Sequence, residues 1–132
     1  MLNLAELYLV GKTVKKKPEK AIQLYKRAID LGNSNAMNSL ALMYENGEDV
    51  EKNIPKAIQL YERAIELGNS DAMYNLALIY DNGEGVEKNL PKAIQLYERA
   101  IDLENSDAMY NLALIYEYRE GVEENRVNRK SW

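Results

Sequence analysis

The chain has 132 residues, enough for one domain, and 46% of them are hydrophobic, enough for a continuous core. It has no histidine and no cysteine, which removes the usual general base, the usual zinc ligands and any disulfide framework. The net charge is −4, divided into +4 over residues 1–31 and −8 over the remainder, and this acidic balance argues against nucleic acid as the main partner.

The N-terminal segment shows no targeting or membrane signal. Residues 1–10 are too short for a signal peptide and include Glu6. No stretch of the chain approaches the ~18–20 apolar residues that a membrane span needs. We therefore expect no membrane association and favour a cytoplasmic protein, unless an export signal has been removed. The basic run of residues 15–17 is interpreted as a solvated loop between helices.

From Lys20 onward the sequence repeats every 36 residues, without insertion or deletion. The hexapeptide Lys-Ala-Ile-Gln-Leu-Tyr begins at Lys20, Lys56 and Lys92. Residues 20–55 and 56–91 share 27 of 36 positions, and residues 56–91 and 92–127 share 28. A repeat of this length predicts a stack of small units, each burying its apolar face against the next.

Each repeat predicts two helices. In the third, the first helix runs from Ala72 to Asn82 and is apolar nearly all round, as expected for an inner helix packed between neighbours. Its core face consists of Ala72, Met73, Leu76, Ala77 and Tyr80, with Ile79 at the edge. The second helix runs from about Leu90 to Leu103 and is an outer helix with one apolar stripe, made of Ala93, Ile94, Tyr97, Ala100 and Ile101.

Turn residues separate the predicted helices. Asn53 and Asn89 are suited to be N-caps, each with a proline two residues later in the first turn. Gly32 and Gly68 follow the outer helices, where a left-handed residue is favoured. Asn33 and Asn69 then cap the next inner helices, and Gly47 and Gly83 end them.

The stretch from Ala72 to Val86, followed by Asn89 and Lys92-Ala93, resembles a Sel-one-like repeat, a relative of the tetratricopeptide repeat. The resemblance covers about residues 2–121. The distance from Ala77 to Ala93 is four residues longer than in the tetratricopeptide pattern, and that from Ala100 to Ala113 is two shorter, which gives 36. The resemblance implies an all-α, right-handed α-α superhelix of antiparallel helix pairs that serves as an adaptor. We expect this solenoid over residues 1–121 and a degenerate tail over 122–132.

In such a solenoid the inner helices line the concave side, which is a ready groove for a peptide. We call the side of these helices opposite the core the inner-helix face; it comprises Asn38, Leu42, Glu45, Tyr74, Asn75, Leu78, Asp81, Tyr110, Asn111 and Leu114. Glu6 takes the leucine position in the first repeat. The pattern predicts an apolar floor with an acidic rim for a protein or peptide ligand. The alternative is that the leucines pack against the preceding repeat.

The repeat breaks after Tyr118, where the fourth outer helix is missing or degenerate. This predicts that the last inner helix exposes apolar residues, with Tyr110, Leu114, Ile115 and Tyr118 as candidates. The tail could cover them through Val122, Val127 and Trp132, two chains could pair there, or the chain could be part of a longer array. We slightly favour pairing into a homodimer.

No residues form a catalytic, metal or cofactor site, so the sequence predicts a non-enzymatic interaction module. The recurring methionines at positions 37, 73 and 109 are interpreted as core packing. A structural or designed consensus scaffold without a ligand is the alternative. An accessory domain of a larger enzyme complex is a further one.

Overall fold

The computed structural model describes residues 17–118. This part of the chain contains six α-helices of 13 residues each and no strand. They are α1 (Pro18–Asp30), α2 (Ser34–Asn46), α3 (Ile54–Glu66), α4 (Ser70–Asn82), α5 (Leu90–Asp102) and α6 (Ser106–Tyr118). Helices α1, α3 and α5 start 36 residues apart, as do α2, α4 and α6, so the predicted alternation of inner and outer helices is confirmed.

Asparagine side chains start the helices as predicted. The Asn53 and Asn89 side chains accept the backbone N–H of Lys56 and Lys92, each at 3.1 Å. The helices α2, α4 and α6 begin in the same way. The side chains of Asn33, Asn69 and Asn105 accept the backbone N–H three residues later, at 2.9, 3.0 and 3.0 Å. Each bond satisfies a backbone donor that has no partner inside its helix. Helix α1 has no such side-chain bond and starts at a proline.

Left-handed residues end the helices. Gly32 and Gly68 follow α1 and α3 with φ of 82°, and the N–H of the next residue bonds back to the helix. Gly47 and Gly83 end α2 and α4 with φ of 66° and 67°. After α5 the glycine is replaced by Glu104, which nevertheless adopts φ of 63°. The backbone bonds at this end persist, so the fold imposes the left-handed turn on a residue that disfavours it.

The outer helices bury a recurring triplet of alanine, tyrosine and alanine. Its members are Ala21, Tyr25 and Ala28 in α1, Ala57, Tyr61 and Ala64 in α3, and Ala93, Tyr97 and Ala100 in α5, all at most 4% exposed. The predicted stripe of α5 needs a correction at its edges. Ile94 and Ile101 are only half-buried, whereas Leu90 and Leu96, which the pattern omitted, are buried. The buried arc is therefore turned toward the leucine side of the helix.

The predicted core of the inner helix α4 is largely confirmed. Met73 is 4% exposed and Leu76 2%, and Ile79, expected at the edge, is fully buried. Tyr80 is half-buried instead, with the Lys92 ammonium 4.7 Å from its ring centroid. This cation–π contact links the end of α4 to the start of α5 across their loop.

The contacts divide the chain into two compact units, Met1–Ala72 and Met73–Trp132. In the first, called the N-terminal unit, α2 packs against both α1 and α3. In the second, called the C-terminal unit, α5 packs against α6.

Candidate functional site

The inner-helix face is the surface that the sequence proposes for a partner, and most of it is half-buried. Asp81 and Tyr110 are the exceptions, at 4% and 67% exposed. The remaining members are half-buried: Asn38, Leu42, Glu45, Tyr74, Asn75, Leu78, Asn111 and Leu114. Glu6, the expected counterpart in the first repeat, lies outside the described residues.

In the N-terminal unit, the carboxylate of this face serves the internal packing. The Tyr61 hydroxyl donates a hydrogen bond to Glu45 Oε1 at 2.6 Å. Tyr61 itself is fully buried in α3, so the bond ties α2 to the outer helix of the same repeat. The Glu45 carboxylate therefore takes part in the contact between two helices, whereas the sequence predicted it at the rim of the groove.

In the C-terminal unit, the equivalent carboxylate is buried rather than at a rim. Asp81 accepts a hydrogen bond from the Tyr97 hydroxyl at 3.2 Å. Asp81 is 4% exposed, so the acidic rim expected at this position is absent. The physical reason is that a buried phenol needs a hydrogen-bond acceptor and the preceding helix supplies one.

Asn111 extends this contact into a network. Its amide nitrogen donates to the hydroxyl oxygens of Tyr97 at 3.4 Å and Tyr74 at 3.5 Å. The rings of Tyr74 and Tyr97 also meet, with centroids 6.2 Å apart at 49°. Three helices, α4, α5 and α6, are therefore joined by polar and aromatic contacts in one place, which fixes the orientation of Tyr74 and Asn111.

Tyr97 is the residue that sequence reasoning missed at this site. Its signal was present, because an acidic residue and a tyrosine recur 16 residues apart as Glu45 and Tyr61 and as Asp81 and Tyr97. Burial raises the pKa of Tyr97 well above its ordinary value of 10; the hydrogen bond from Asn111 opposes this effect and the charge of Asp81 adds to it. The phenol therefore stays protonated at neutral pH and acts as the donor to Asp81.

Helix α6 presents apolar side chains to solvent, though not all of those expected. Tyr110 is 67% and Tyr118 71% exposed, and Leu114 is half-buried. The expectation that Ile115 is exposed is wrong, because it is fully buried. Its counterpart Ile79 is buried too, so this position belongs to the core that each repeat makes for itself.

Two residues of α6 that the sequence did not predict as exposed are exposed. Met109 is 42% exposed and Ala113 is also exposed. Their counterparts in α2 and α4, Met37, Met73, Ala41 and Ala77, are at most 4% exposed. We call Met109, Tyr110, Ala113 and Leu114 the terminal face. The residues that the sequence offered as anchors against it, Val122, Val127 and Trp132, lie outside the described part of the chain.

The described residues show neither a metal site nor a membrane span. Between residues 17 and 118, no three His, Cys, Asp or Glu side chains are grouped so that they could hold a metal ion. In the same range, no helix has the length and apolar character that crossing a bilayer requires.

Comparisons with family models and with solved structures indicate the same protein family. A model of the Sel1 repeat matches four stretches, residues 1–33, 34–69, 70–105 and 106–128. A Sel1 repeat protein from Oxalobacter formigenes is 34% identical with a TM-score of 0.83, over 91% of this chain and 49% of that one. A protective antigen of uropathogenic Escherichia coli strains, which displays an SLR fold, is 36% identical with a TM-score of 0.85, over 95% and 27%.

Helicobacter pylori cysteine rich protein B is 31% identical with a TM-score of 0.68, over 82% of this chain and 84% of that one. A search of curated protein sequences gave no significant match. The chain spans about half the length of the Oxalobacter protein and about a quarter of the E. coli antigen. These similarities confirm the predicted all-α solenoid fold class. With matched repeats from residue 1 to residue 128, the chain belongs to the Sel1 repeat family.

Proposed function

We propose that this chain is a non-enzymatic protein-interaction module whose inner-helix face in the C-terminal unit binds a peptide segment of a partner protein. Proteins built of Sel1 repeats generally act as protein-interaction scaffolds and are generally not enzymes. The observation that carries the proposal is the exposure of Tyr110, a large aromatic side chain of α6 that is 67% accessible.

Two leucines of the inner-helix face support an anchor site. Leu78 and Leu114 are half-buried, so each retains apolar surface that a partner can cover. Aromatic side chains surrounded by aliphatic contacts are the usual source of binding energy at protein interfaces. Tyr110, Leu78 and Leu114 would form the apolar part of the contact.

The hydrogen-bond network makes part of this surface rigid. Tyr74 and Asn111 are held by their bond at 3.5 Å, and Tyr74 also lies against the Tyr97 ring. Little side-chain entropy would then be lost on binding. The Asn111 amide nitrogen faces two tyrosines, so its carbonyl oxygen is the group that would accept a backbone N–H of the peptide.

Charge indicates the kind of peptide. Helices α4 and α6 contain no lysine or arginine and four acidic residues, of which Asp71, Asp107 and Glu117 are exposed and Asp81 is buried. A partner segment with apolar anchors and some positive charge fits this surface, whereas a segment recognised by its terminal carboxylate does not.

The test alters side chains of this face and checks the folding of the variant separately. A photo-crosslinking amino acid at position 110 should form adducts with a partner in cells that express the chain, and the same group at Leu103, an exposed residue outside the face, should not. The double variant Tyr74→Ala and Leu78→Ala should then abolish the adducts while circular dichroism still shows a folded chain. Adducts that persist in the folded double variant would refute the proposed face.

We also propose that two chains pair through the terminal face. This face shares Tyr110 and Leu114 with the peptide site, so the two contacts compete for the same surface. The support for pairing is the tenfold difference in exposure between Met109, at 42%, and Met73, at 4%, at the same position of adjacent repeats. Analytical ultracentrifugation should show a monomer–dimer equilibrium that Ala113→Arg shifts to the monomer. A chain that sediments as a monomer at every concentration would overturn the pairing and leave the peptide-binding proposal untouched.

A further inference from the structure

A cleft of about 370 Å³ lies in the N-terminal unit, and none of its lining residues belongs to the inner-helix face. Helices α1, α2 and α3 all contribute to its lining. Its floor contains Ile29, Leu40 and Leu60, which are 7%, 3% and 8% exposed. A volume of this size is at the lower end of ligand-binding pockets and holds one large or two small side chains.

The rim of this cleft is basic. Lys26 on α1 and Lys56 and Arg63 on α3 line it, all three exposed, against the single carboxylate of Asp30. The Lys56 ammonium lies 5.1 Å from the ring centroid of Tyr44, which also lines the cleft. This cation–π contact holds one positive charge at the edge of the apolar floor. Three cations against one carboxylate stand out in a chain whose net charge is −4.

Comparison with the next repeat shows that the excess of positive charge occurs only at this cleft and not at the equivalent positions 36 residues later. The positions 36 residues after Asp30, Lys56 and Arg63 keep their charge, as Glu66, Lys92 and Arg99. The position after Lys26 is Glu62, and the next one again is acidic, Glu98. The same set of positions is therefore balanced one repeat later, and Lys26 is the residue that makes the first set basic.

We propose that this cleft binds an acidic peptide segment of a partner protein, with an aliphatic side chain seated on the floor and carboxylates on either side of it. The cations stand on two different helices, α1 and α3, that flank the floor contributed by Leu40 of α2. A ligand that pairs with both needs negative charge on both sides of its apolar anchor. An extended peptide of acidic and aliphatic residues has this arrangement, and charge complementarity would orient it.

The cleft and the inner-helix face would thus select opposite ligands. Helices α4 and α6, which contain no lysine or arginine, suit a segment with some positive charge, whereas the cleft suits an acidic one. The two proposals rest on different residues and different units of the chain, so either can fail without the other.

The experiment uses the full chain and a rhodamine-labelled peptide, Gly-Glu-Glu-Leu-Glu-Glu-Gly, followed by fluorescence anisotropy. Two matched peptides replace either all four glutamates by glutamine or the leucine by alanine. The acidic peptide should bind, and its affinity should fall as salt is added, because exposed charge pairs are screened. Both matched peptides should bind at least about tenfold more weakly.

The protein variants localise the binding. Lys26→Glu introduces the residue that the second and third repeats carry naturally, so the helix tolerates it. It should weaken binding of the acidic peptide about tenfold. Lys20→Glu changes the net charge equally on the same helix but does not line the cleft, and it should change the affinity by less than about twofold.

Three results would overturn the proposal. They are the absence of binding to the native chain, equal binding of the glutamine peptide, and equal effects of Lys26→Glu and Lys20→Glu. Selective loss of binding in Lys26→Glu, with an unchanged circular dichroism spectrum, would support it.

Discussion

Helices α4 and α6 have nearly the same sequence and very different surroundings. They are identical at 11 of 13 positions, differing only in their last two residues. Yet exposure rises from 4% at Met73 to 42% at Met109, and Ala77 is fully buried whereas Ala113 is exposed. In a repeat protein each unit is stabilised by its neighbours as well as by itself. The comparison shows that a neighbour, rather than the helix sequence, determines which residues remain available for a partner.

Removing the two methionines one at a time should give the largest difference. Met73→Ala should lower the free energy of unfolding by ~2–5 kcal/mol, because a buried side chain leaves a cavity. Met109→Ala should cost less than about 1 kcal/mol, since its side chain is already partly in water. Urea denaturation followed by circular dichroism measures both.

Equal losses in the two variants would mean that something covers Met109 in solution. If that cover is a second chain, the loss caused by Met109→Ala would depend on protein concentration.

The next effect concerns the polar network that joins α4, α5 and α6. Tyr97→Phe removes the hydroxyl that Asp81 and Asn111 share, and should cost ~1–3 kcal/mol, because a buried carboxylate then loses the hydrogen bond that Tyr97 donates. Tyr110→Phe is the matched control on the exposed side and should be nearly neutral. A neutral Tyr97→Phe would show that the network contributes orientation but no stability.

The same tyrosine predicts a pH dependence. The pKa of Tyr97 is raised in the folded chain, so the folded state holds this proton at a pH where the unfolded state releases it. Its contribution to stability is complete below the unfolded pKa of about 10 and falls as the pH rises above that value. Burial also raises the pKa of Tyr116, in the same direction.

Unfolding free energies measured between pH 8 and about 11 should therefore decline above about pH 10, and less steeply in Tyr97→Phe than in the native chain. Tyr116→Phe provides the second reference, because it removes a half-buried phenol whose pKa is also raised. Identical slopes in all three proteins would exclude Tyr97 as a source of the decline.

The smallest effect distinguishes the ends of α3 and α5. Glu104→Gly should stabilise the chain by about 0.5–1 kcal/mol, because glycine adopts the left-handed backbone at φ of 63° without strain. Gly68→Glu should destabilise it by about the same amount. A Cβ atom at position 68 would meet no atom within 4 Å, so the change reports backbone strain rather than a steric clash at Cβ. Thermal denaturation measures both, and a destabilised Glu104→Gly variant would contradict this reading.

The sequence predicted the features of the fold that are determined by neighbouring residues along the chain. The helix boundaries near Asn53 and Gly68 follow from capping and turn preferences, which act within a few residues. The period of 36 then placed every helix pair. Helix periodicity also identified Met73 and Leu76 as core residues, because the apolar arc of α4 is broad.

What the sequence did not predict depends on contacts between helices. Asp81 was expected at a rim, but a tyrosine 16 residues later draws it into the interior. Ile115 was expected to be exposed and is buried, whereas Met109 was expected in the core and is exposed. The sequence of one helix does not determine the direction from which a neighbouring helix packs against it. The basic cleft also escaped prediction, since Lys26, Tyr44 and Lys56 belong to three different helices.

Methionine oxidation tests most directly whether α6 carries an uncovered surface. Dilute peroxide, followed by mass spectrometry of individual residues over time, reports the access of solvent to each thioether. Met109 should be oxidised much faster than Met37 and Met73 in the native chain, and a bound partner peptide or a second chain should slow it. Equal oxidation rates at the three positions would contradict the claim that the terminal face is available for binding.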